Sequence, residues 1–126
     1  MKVQDLDVLR PEKKVVKIGG KEVDVSFVPC GITFDIDEIV TEIMQLDRVE
    51  VMKGGDVAKK AFMLSVRLCA TFCKYKYPEL DEDWWMNEAS PVQLRHFSES
   101  VQDALRQAYA GIENPPKAAR KTRKSA

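Results

Sequence analysis

The chain contains 126 residues, of which 44% are hydrophobic and 32% are charged, with 20 acidic and 20 basic side chains. These values are typical of one soluble globular domain, and the lack of an apolar run of about 18 residues argues against a transmembrane helix. The charge is unevenly distributed along the chain. Residues 112–126 contain five basic residues and one acidic residue, whereas residues 1–111 contain 15 basic and 19 acidic residues. An acidic body is unfavourable for reading duplex DNA, since phosphate contacts dominate that binding.

The cysteine and histidine content predicts neither a disulfide framework nor a metal site. The chain has an odd number of cysteines, Cys30, Cys69 and Cys73. The first residues of the sequence also lack the apolar core of a signal peptide. We therefore expect reduced thiols in a cytoplasm. Cys69 and Cys73 lie one helical turn apart, but zinc sites usually contain a short Cys-x-x-Cys motif. No metal or cofactor is predicted, and His96, the only histidine, is interpreted as a surface or boundary residue.

The first predicted element is a β-hairpin. Apolar side chains occur at every second position on both sides of a glycine pair, at Val16, Ile18, Val23, Val25 and Phe27. Gly19 and Gly20 between them accept the positive φ values of a two-residue turn. Pro29 ends the second strand, because it cannot donate a ladder hydrogen bond. A hairpin of two strands is not stable alone, so we expect it to pack on helices.

Two helices are predicted after the hairpin. The first runs from about residue 35 to 47, with Asp35 and Glu38 as a capping box and Thr33 as an alternative N-cap. The motif KGGD then breaks the chain, and Asp56 caps the second helix. This helix has the longest apolar period, about 20 residues, and is expected to be central. Its apolar stripe is predicted to continue through Tyr75 until Pro78 stops it.

A third long helix is predicted from Ser90, where Ser-Pro-Val-Gln places an N-cap, an N1 proline and an N3 glutamine together. Gly111 is its expected C′ residue. The segment ELDEDWWMNEA before it is expected to contain a short helical turn. The predicted fold is therefore α+β and mostly helical, with an N-terminal hairpin packed on three main helices. Residues 1–111 are expected to form a single domain, and residues 112–126 are expected to form a flexible, disordered basic tail.

No arrangement of residues in this sequence predicts an enzyme. A single histidine rules out a zinc site with two histidine ligands, and the two glycine pairs lack the pattern of a phosphate loop. Trp84 and Trp85 cannot both face one core, since neighbouring residues on a helix point about 100° apart. One of them is expected to pack internally and the other, with Met86, to contact an apolar partner.

The segment KVVKIGGKEVDVSFVPCGITFDIDEIVTEIMQL, residues 14–46, resembles the N-terminal half of tail assembly chaperones from long-tailed phages and prophages. The resemblance rests on the hairpin, the ITFDID helix start and the small size, and it covers roughly residues 13–75. It implies that the protein binds the tape measure protein, keeps it soluble and extended, and helps to recruit the tail tube protein. It also implies action in the host bacterial cytoplasm, absence from the mature virion, and no catalytic residues.

The same resemblance implies self-association and a second form of the protein. Some family members form homo-oligomers, and many have a longer form made by a programmed ribosomal frameshift. Pro116 and Lys117 are the candidate frameshift position, because a run of C then A could encode them. The residues considered as a partner-binding surface are Met44, Met52, Phe62, Met63, Trp84, Trp85 and Met86. They are equally compatible with a core at this stage.

Two other functions are compatible with the sequence. A structural tail component, such as a connector or a tube-associated subunit, would have a similar size and would remain in the particle. A small nucleic-acid-binding regulator could use the basic tail, and its DNA binding would fall steeply with salt. The acidic body makes nucleic acid the less favoured partner.

Overall fold

The computed structural model describes residues 3–113, which form a two-stranded hairpin and five α-helices. A short 3-10 helix, Leu6–Leu9, precedes the hairpin. The strands are β1 (Val15–Ile18) and β2 (Lys21–Asp24), and the helices are α1 (Cys30–Met44), α2 (Arg48–Lys53), α3 (Gly55–Cys73), α4 (Glu82–Asn87) and α5 (Pro91–Glu113). The prediction of an α+β, mostly helical fold with a hairpin on three long helices is confirmed. Most of the predicted basic tail, including Pro116 and Lys117, lies outside the described residues.

The hairpin turn has the conformation that the glycine pair predicts. Gly19 and Gly20 have φ values of 57° and 77°, which suit a two-residue hairpin turn. The antiparallel register places Val16 opposite Val23. Val23 is fully buried, so one face of the hairpin lies against the helices and provides the support that a two-stranded sheet requires.

The second strand is shorter than predicted. It ends at Asp24 rather than continuing to Phe27. The Asp24 carboxylate accepts hydrogen bonds from the Ser26 N–H at 2.9 Å and from the Ser26 hydroxyl at 2.5 Å. This local bonding is an Asx turn, which competes with strand pairing and redirects the chain.

Helix α1 begins five residues before its predicted start, so the predicted capping box at Asp35 is wrong. The N-cap is Pro29, which has no side-chain cap to offer. The Thr33 hydroxyl donates to the Pro29 carbonyl at 2.9 Å, one turn back, so Thr33 lies inside the helix rather than at its N-cap. Burial of Ile32, which is 2% exposed, stabilises this first turn although glycine and threonine are weak helix formers.

The region between the first two predicted helices contains an additional short helix, α2. The Asp47 carboxylate accepts the Val49 N–H at 2.8 Å and caps it. Gly54, with φ of 83°, separates α2 from α3 and is the N-cap of α3, so Asp56 lies in the first turn instead of capping it. Helix α3 ends at Cys73, five residues before Pro78, and Tyr75 is 64% exposed rather than part of its apolar stripe.

The start of α5 is confirmed and its predicted end is wrong. The Gln93 N–H donates to the Ser90 hydroxyl oxygen at 3.2 Å, and the Ser90 N–H donates to the Gln93 side chain at 2.8 Å. This reciprocal pair is a capping box. Gly111 is not the C′ residue, because the helix continues to Glu113. A single glycine costs a helix about 1 kcal/mol, which does not stop it when the neighbouring residues remain helical.

The core lies around α3, which contacts α1, α2, α4 and α5 and is the central helix as predicted. Trp85 of α4 is 1% exposed, and its indole N–H donates to the Leu80 carbonyl at 3.1 Å. The centroid of its ring lies 4.8 Å from the centroid of the Phe97 ring on α5. Phe72 of α3 makes an edge contact with the same Phe97 ring at 6.0 Å. These aromatic contacts join α3, α4 and α5 into one core.

Candidate functional site

A shallow groove of about 380 Å³ lies where the end of α1, α2, α3 and α5 meet. Its apolar walls are Ile43, Met44, Leu46, Val51, Met52 and Ala61, and its polar lining residues are Arg48 and Gln102. We call this feature the methionine groove. It is concave and mostly apolar, which are the properties of a surface that accepts an apolar side chain or the apolar face of a helix.

Helix α2 forms one wall of the methionine groove, and local signals fix where this helix begins and ends. Asp47 caps its first turn. Gly54 and Gly55 at its other end have φ values of 83° and 77°, which a residue with a side chain rarely adopts. None of the six residues of α2 is buried. The helix therefore presents its apolar side chains to the groove and to solvent instead of to the core.

The two methionines of the groove are strongly exposed. Met44 is 77% exposed and Met52 is 87% exposed, and the neighbouring Val49 is 60% exposed. A cluster of exposed apolar side chains of this kind often marks an interaction site. Methionine is flexible and polarizable, so it can adapt to different apolar partners. Their exposure favours a partner surface over the core for these two residues.

Phe62 and Met63 lie near this region but do not line the groove. They follow Ala61, which does line it, along α3. Because successive residues on a helix point about 100° apart, the two side chains project from neighbouring faces. They are 37% and 45% exposed. They extend the apolar surface of α3 beyond the groove rather than forming part of its walls.

The tryptophan pair divides between core and boundary. Trp85 is buried, so its inclusion in the predicted partner-binding surface is wrong. Trp84 is half-buried, and its ring makes an edge contact with Trp85 at 5.0 Å. A Cβ atom on Gly19 would lie 2.6 Å from the Trp84 ring, so this tryptophan covers the hairpin turn. Met86 is 44% exposed on α4, a helix that does not line the methionine groove.

The sequence contained a signal for α2 that the prediction did not use. Asp47 and Gly54 are a start and a stop signal with six residues between them. With them, Val51 and Met52 would have been assigned to a short helix, and Leu46 to the turn before it. The large exposure of Phe34, 86%, is a further feature that periodicity alone does not reveal, since it depends on which face of α1 is covered.

The cysteines and the histidine do not form a reactive cluster. Burial raises the pKa of the Cys69 thiol well above its ordinary value, and burial and the charge of Glu79 raise that of Cys73 to about 12. Both thiols therefore remain protonated and act as small core residues. Cys30 and His96 are exposed. Within residues 3–113, no three histidine, cysteine or acidic side chains lie close enough to hold a metal ion.

Neither the family comparisons nor the helix lengths identify the protein. No protein-family model, no curated protein and no solved structure matches the chain. Across the described residues, no helix is both long enough and apolar enough to cross a membrane.

Proposed function

We propose that this protein is a binding protein, not an enzyme, and that its methionine groove accepts the apolar face of an amphipathic helix. The observation that carries the proposal is the exposure of Met44 and Met52, 77% and 87%, which both line one concave surface. Amphipathic helices bind such grooves through apolar anchors spaced three or four residues apart. Arg48 and Gln102 at the groove are suited to polar contacts with the sides of that helix.

The resemblance to tail assembly chaperones suggests which protein supplies this helix, here called the client. Tail assembly chaperones bind the tape measure protein, a long helical chain with apolar stripes that must be kept soluble before the tail tube encloses it. A small groove suits this task, because many weak sites along one client give avidity while each contact remains reversible. We therefore propose that the protein is a tail assembly chaperone of a long-tailed phage or prophage. It would act in the host cytoplasm and would not remain in the mature virion.

Three further properties belong to the same proposal. The chaperone would help to recruit the tail tube protein to the client, it would self-associate, and a minority of copies would have a longer C-terminus made by frameshifting. Pro116 and Lys117, which lie outside the described residues, are the proposed frameshift position. Nucleotide sequencing of these codons tests this directly, because a run that cannot re-pair after a shift of one base would remove the frameshift.

The experiment for the proposed function is co-expression with the tape measure protein encoded in the same tail operon. We expect the client to become soluble and to co-purify with the chaperone. Unchanged client solubility without a complex would contradict the proposal. Mass spectrometry of purified virions separates the structural alternative, since a stoichiometric amount of this chain in the particle would identify a connector or tube component instead.

A further inference from the structure

A second pocket, separate from the methionine groove, lies at the opposite end of α1. It has a volume of about 280 Å³. Its lining is mainly aromatic and aliphatic, from the segment after β2, the first turn of α1 and the end of α3: Phe27, Pro29, Ile32, Phe72, Tyr75 and Tyr77. We call it the aromatic pocket. Ile32 and Ile43, one residue from each site, are separated by 11 helical positions, or about 16 Å along α1.

Positive charges surround the aromatic pocket. The Arg10 guanidinium lies 3.9 Å from the centroid of the Phe27 ring, and the Lys76 ammonium lies 5.1 Å from the same centroid. The Lys74 ammonium lies 5.8 Å from the centroid of the Tyr75 ring. These distances are within the range of cation–π interactions. Lys76 lines the pocket and Arg10 lies against it over Phe27, whereas Lys74 lines a separate surface pocket together with Asp81, Glu82 and Asp83. Within residues 3–113, neither Arg10 nor Lys76 belongs to an ion pair.

The one acidic residue that lines the pocket, Asp24, does not cancel this charge. Burial tends to raise the pKa of its carboxyl, but the hydrogen bonds from Ser26 and the charges of Lys13 and Lys76 lower it below the ordinary value. The carboxylate is therefore ionised and already accepts two hydrogen bonds from Ser26. Lys76 and Arg10 lie at the pocket and Asp24 is the one acidic residue that lines it, so the net charge of these groups is positive.

The size and charge of the aromatic pocket define its ligand. A volume of 280 Å³ is below the range of about 300–1,000 Å³ that is usual for sites that enclose a small molecule. It is suited to one large apolar side chain. The cations around the apolar lining would attract carboxylates on either side of that anchor. The Arg10 guanidinium and the Lys76 ammonium already lie over the Phe27 ring, so this ring is less accessible for stacking a nucleic-acid base.

We propose that the aromatic pocket binds an acidic peptide segment of a partner protein, which inserts one aromatic or large aliphatic side chain between flanking aspartate or glutamate residues. The anchor contacts Ile32 and Phe72 on the floor, and the flanking carboxylates lie near Lys76 and Arg10. This surface is additional to the proposed client-binding groove and does not depend on it. A chain with two such surfaces can hold one partner at each end of α1.

Fluorescence anisotropy with the full-length protein tests this proposal. The probe is a short fluorescein-labelled peptide with one central phenylalanine between aspartate and glutamate residues. We expect saturable binding that weakens as salt is raised from about 0.05 M to about 0.5 M, because exposed charge pairs are screened. A peptide with lysines in place of the acids should not bind. Equal binding of both peptides, or no binding of the acidic peptide, would overturn the proposal.

Two variants locate the binding site. Gly31 lines the pocket, and a Cβ atom there would meet nothing within 4 Å, so Gly31→Leu should fill the pocket without disturbing the fold. We expect it to abolish binding. Lys76→Glu removes an attraction and adds a repulsion, and should weaken binding about tenfold, which corresponds to about 1.4 kcal/mol. Lys59→Glu is the matched control, because Lys59 is an exposed lysine on α3 that does not line the pocket, and it should bind like the wild-type protein.

The outcomes distinguish this site from the methionine groove and from a nucleic-acid site. Variants Met44→Gln and Met52→Gln should leave binding of the acidic peptide unchanged, so either proposal can fail alone. If Gly31→Leu, confirmed as folded by circular dichroism, binds the probe normally, the pocket is not the site. If single-stranded DNA displaces the peptide and loses affinity in Gly31→Leu, the surface binds nucleic acid and the peptide proposal is wrong.

Discussion

Replacing both groove methionines with glutamine tests whether the methionine groove binds an amphipathic helix. Glutamine has nearly the same size and helix propensity as methionine, so Met44→Gln and Met52→Gln should preserve α1 and α2. The two side chains are 77% and 87% exposed in the free protein. Removing their apolar character should therefore change the free energy of unfolding by no more than about 0.5 kcal/mol, as expected for surface substitutions.

The effect on binding should be much larger than the effect on folding. Full burial of a methionine contributes about 1.5–3 kcal/mol, and more than three-quarters of each side chain remains to be buried by a partner. At the lower limit, the two methionines together contribute about 2.5 kcal/mol to binding. Because about 1.4 kcal/mol changes an equilibrium constant tenfold, the double variant should bind roughly fifty- to a hundredfold more weakly.

The assay is isothermal titration of the protein with a synthetic amphipathic helix taken from the apolar stripe of the tape measure protein. Burial of apolar surface should also give a negative heat-capacity change for the wild-type protein, and a smaller one for the double variant. Met86→Gln is the matched control, because Met86 is exposed but does not line the groove. A double variant that binds as tightly as Met86→Gln would refute the assignment of the groove.

Three predictions concern stability and are measured by thermal unfolding followed by circular dichroism. Gly19→Ala should lower the melting temperature more than Gly20→Ala, because both glycines have positive φ but only Gly19→Ala places a Cβ atom 2.6 Å from the Trp84 ring. Equal decreases in melting temperature would show that the Trp84 ring moves away at no cost. Ser90→Ala removes the α5 cap and should cost about 1 kcal/mol, whereas an unchanged melting temperature would show that the cap contributes little. The pKa of Asp24 is lower in the folded state than its ordinary value of 3.8, so ionised Asp24 stabilises the fold at pH values above 3.8. This contribution is lost as the pH falls through the pKa that Asp24 has in the folded state. Asp24→Asn should therefore reduce the acid sensitivity, and an identical acid-denaturation curve would contradict the role of this charge.

The fold was predictable where local pattern and packing favour the same structure. The alternation around Gly19 and Gly20 specifies both the strands and the turn, and the capping box at Ser90 specifies the start of α5. The start of α1 was not predictable from propensity, because burial of Ile32 stabilises a first turn of weak helix formers. The end of β2 depends on the side-chain bonding of Asp24, which a period of two does not include.

The candidate site was predictable in part. Met44 and Met52 line the same groove, as expected for a shared partner surface, although Met44 lies on α1 and Met52 on α2. Trp85 could not be separated from Trp84 by sequence, because only the position of α4 against α5 decides which ring is buried. The aromatic pocket was not predictable, since it joins the segment after β2 to the ends of two helices that are distant in sequence.

Site-specific photocrosslinking during tail assembly is the most direct test of the central claim, that the methionine groove holds the tape measure protein. A photoreactive residue is introduced at Met52 in one experiment and at Met86 in another, and the crosslinked products are identified by mass spectrometry. We expect the tape measure protein to be crosslinked strongly from position 52 and weakly from position 86. No crosslink to the tape measure protein from position 52, or equal crosslinking from both positions, would contradict the account.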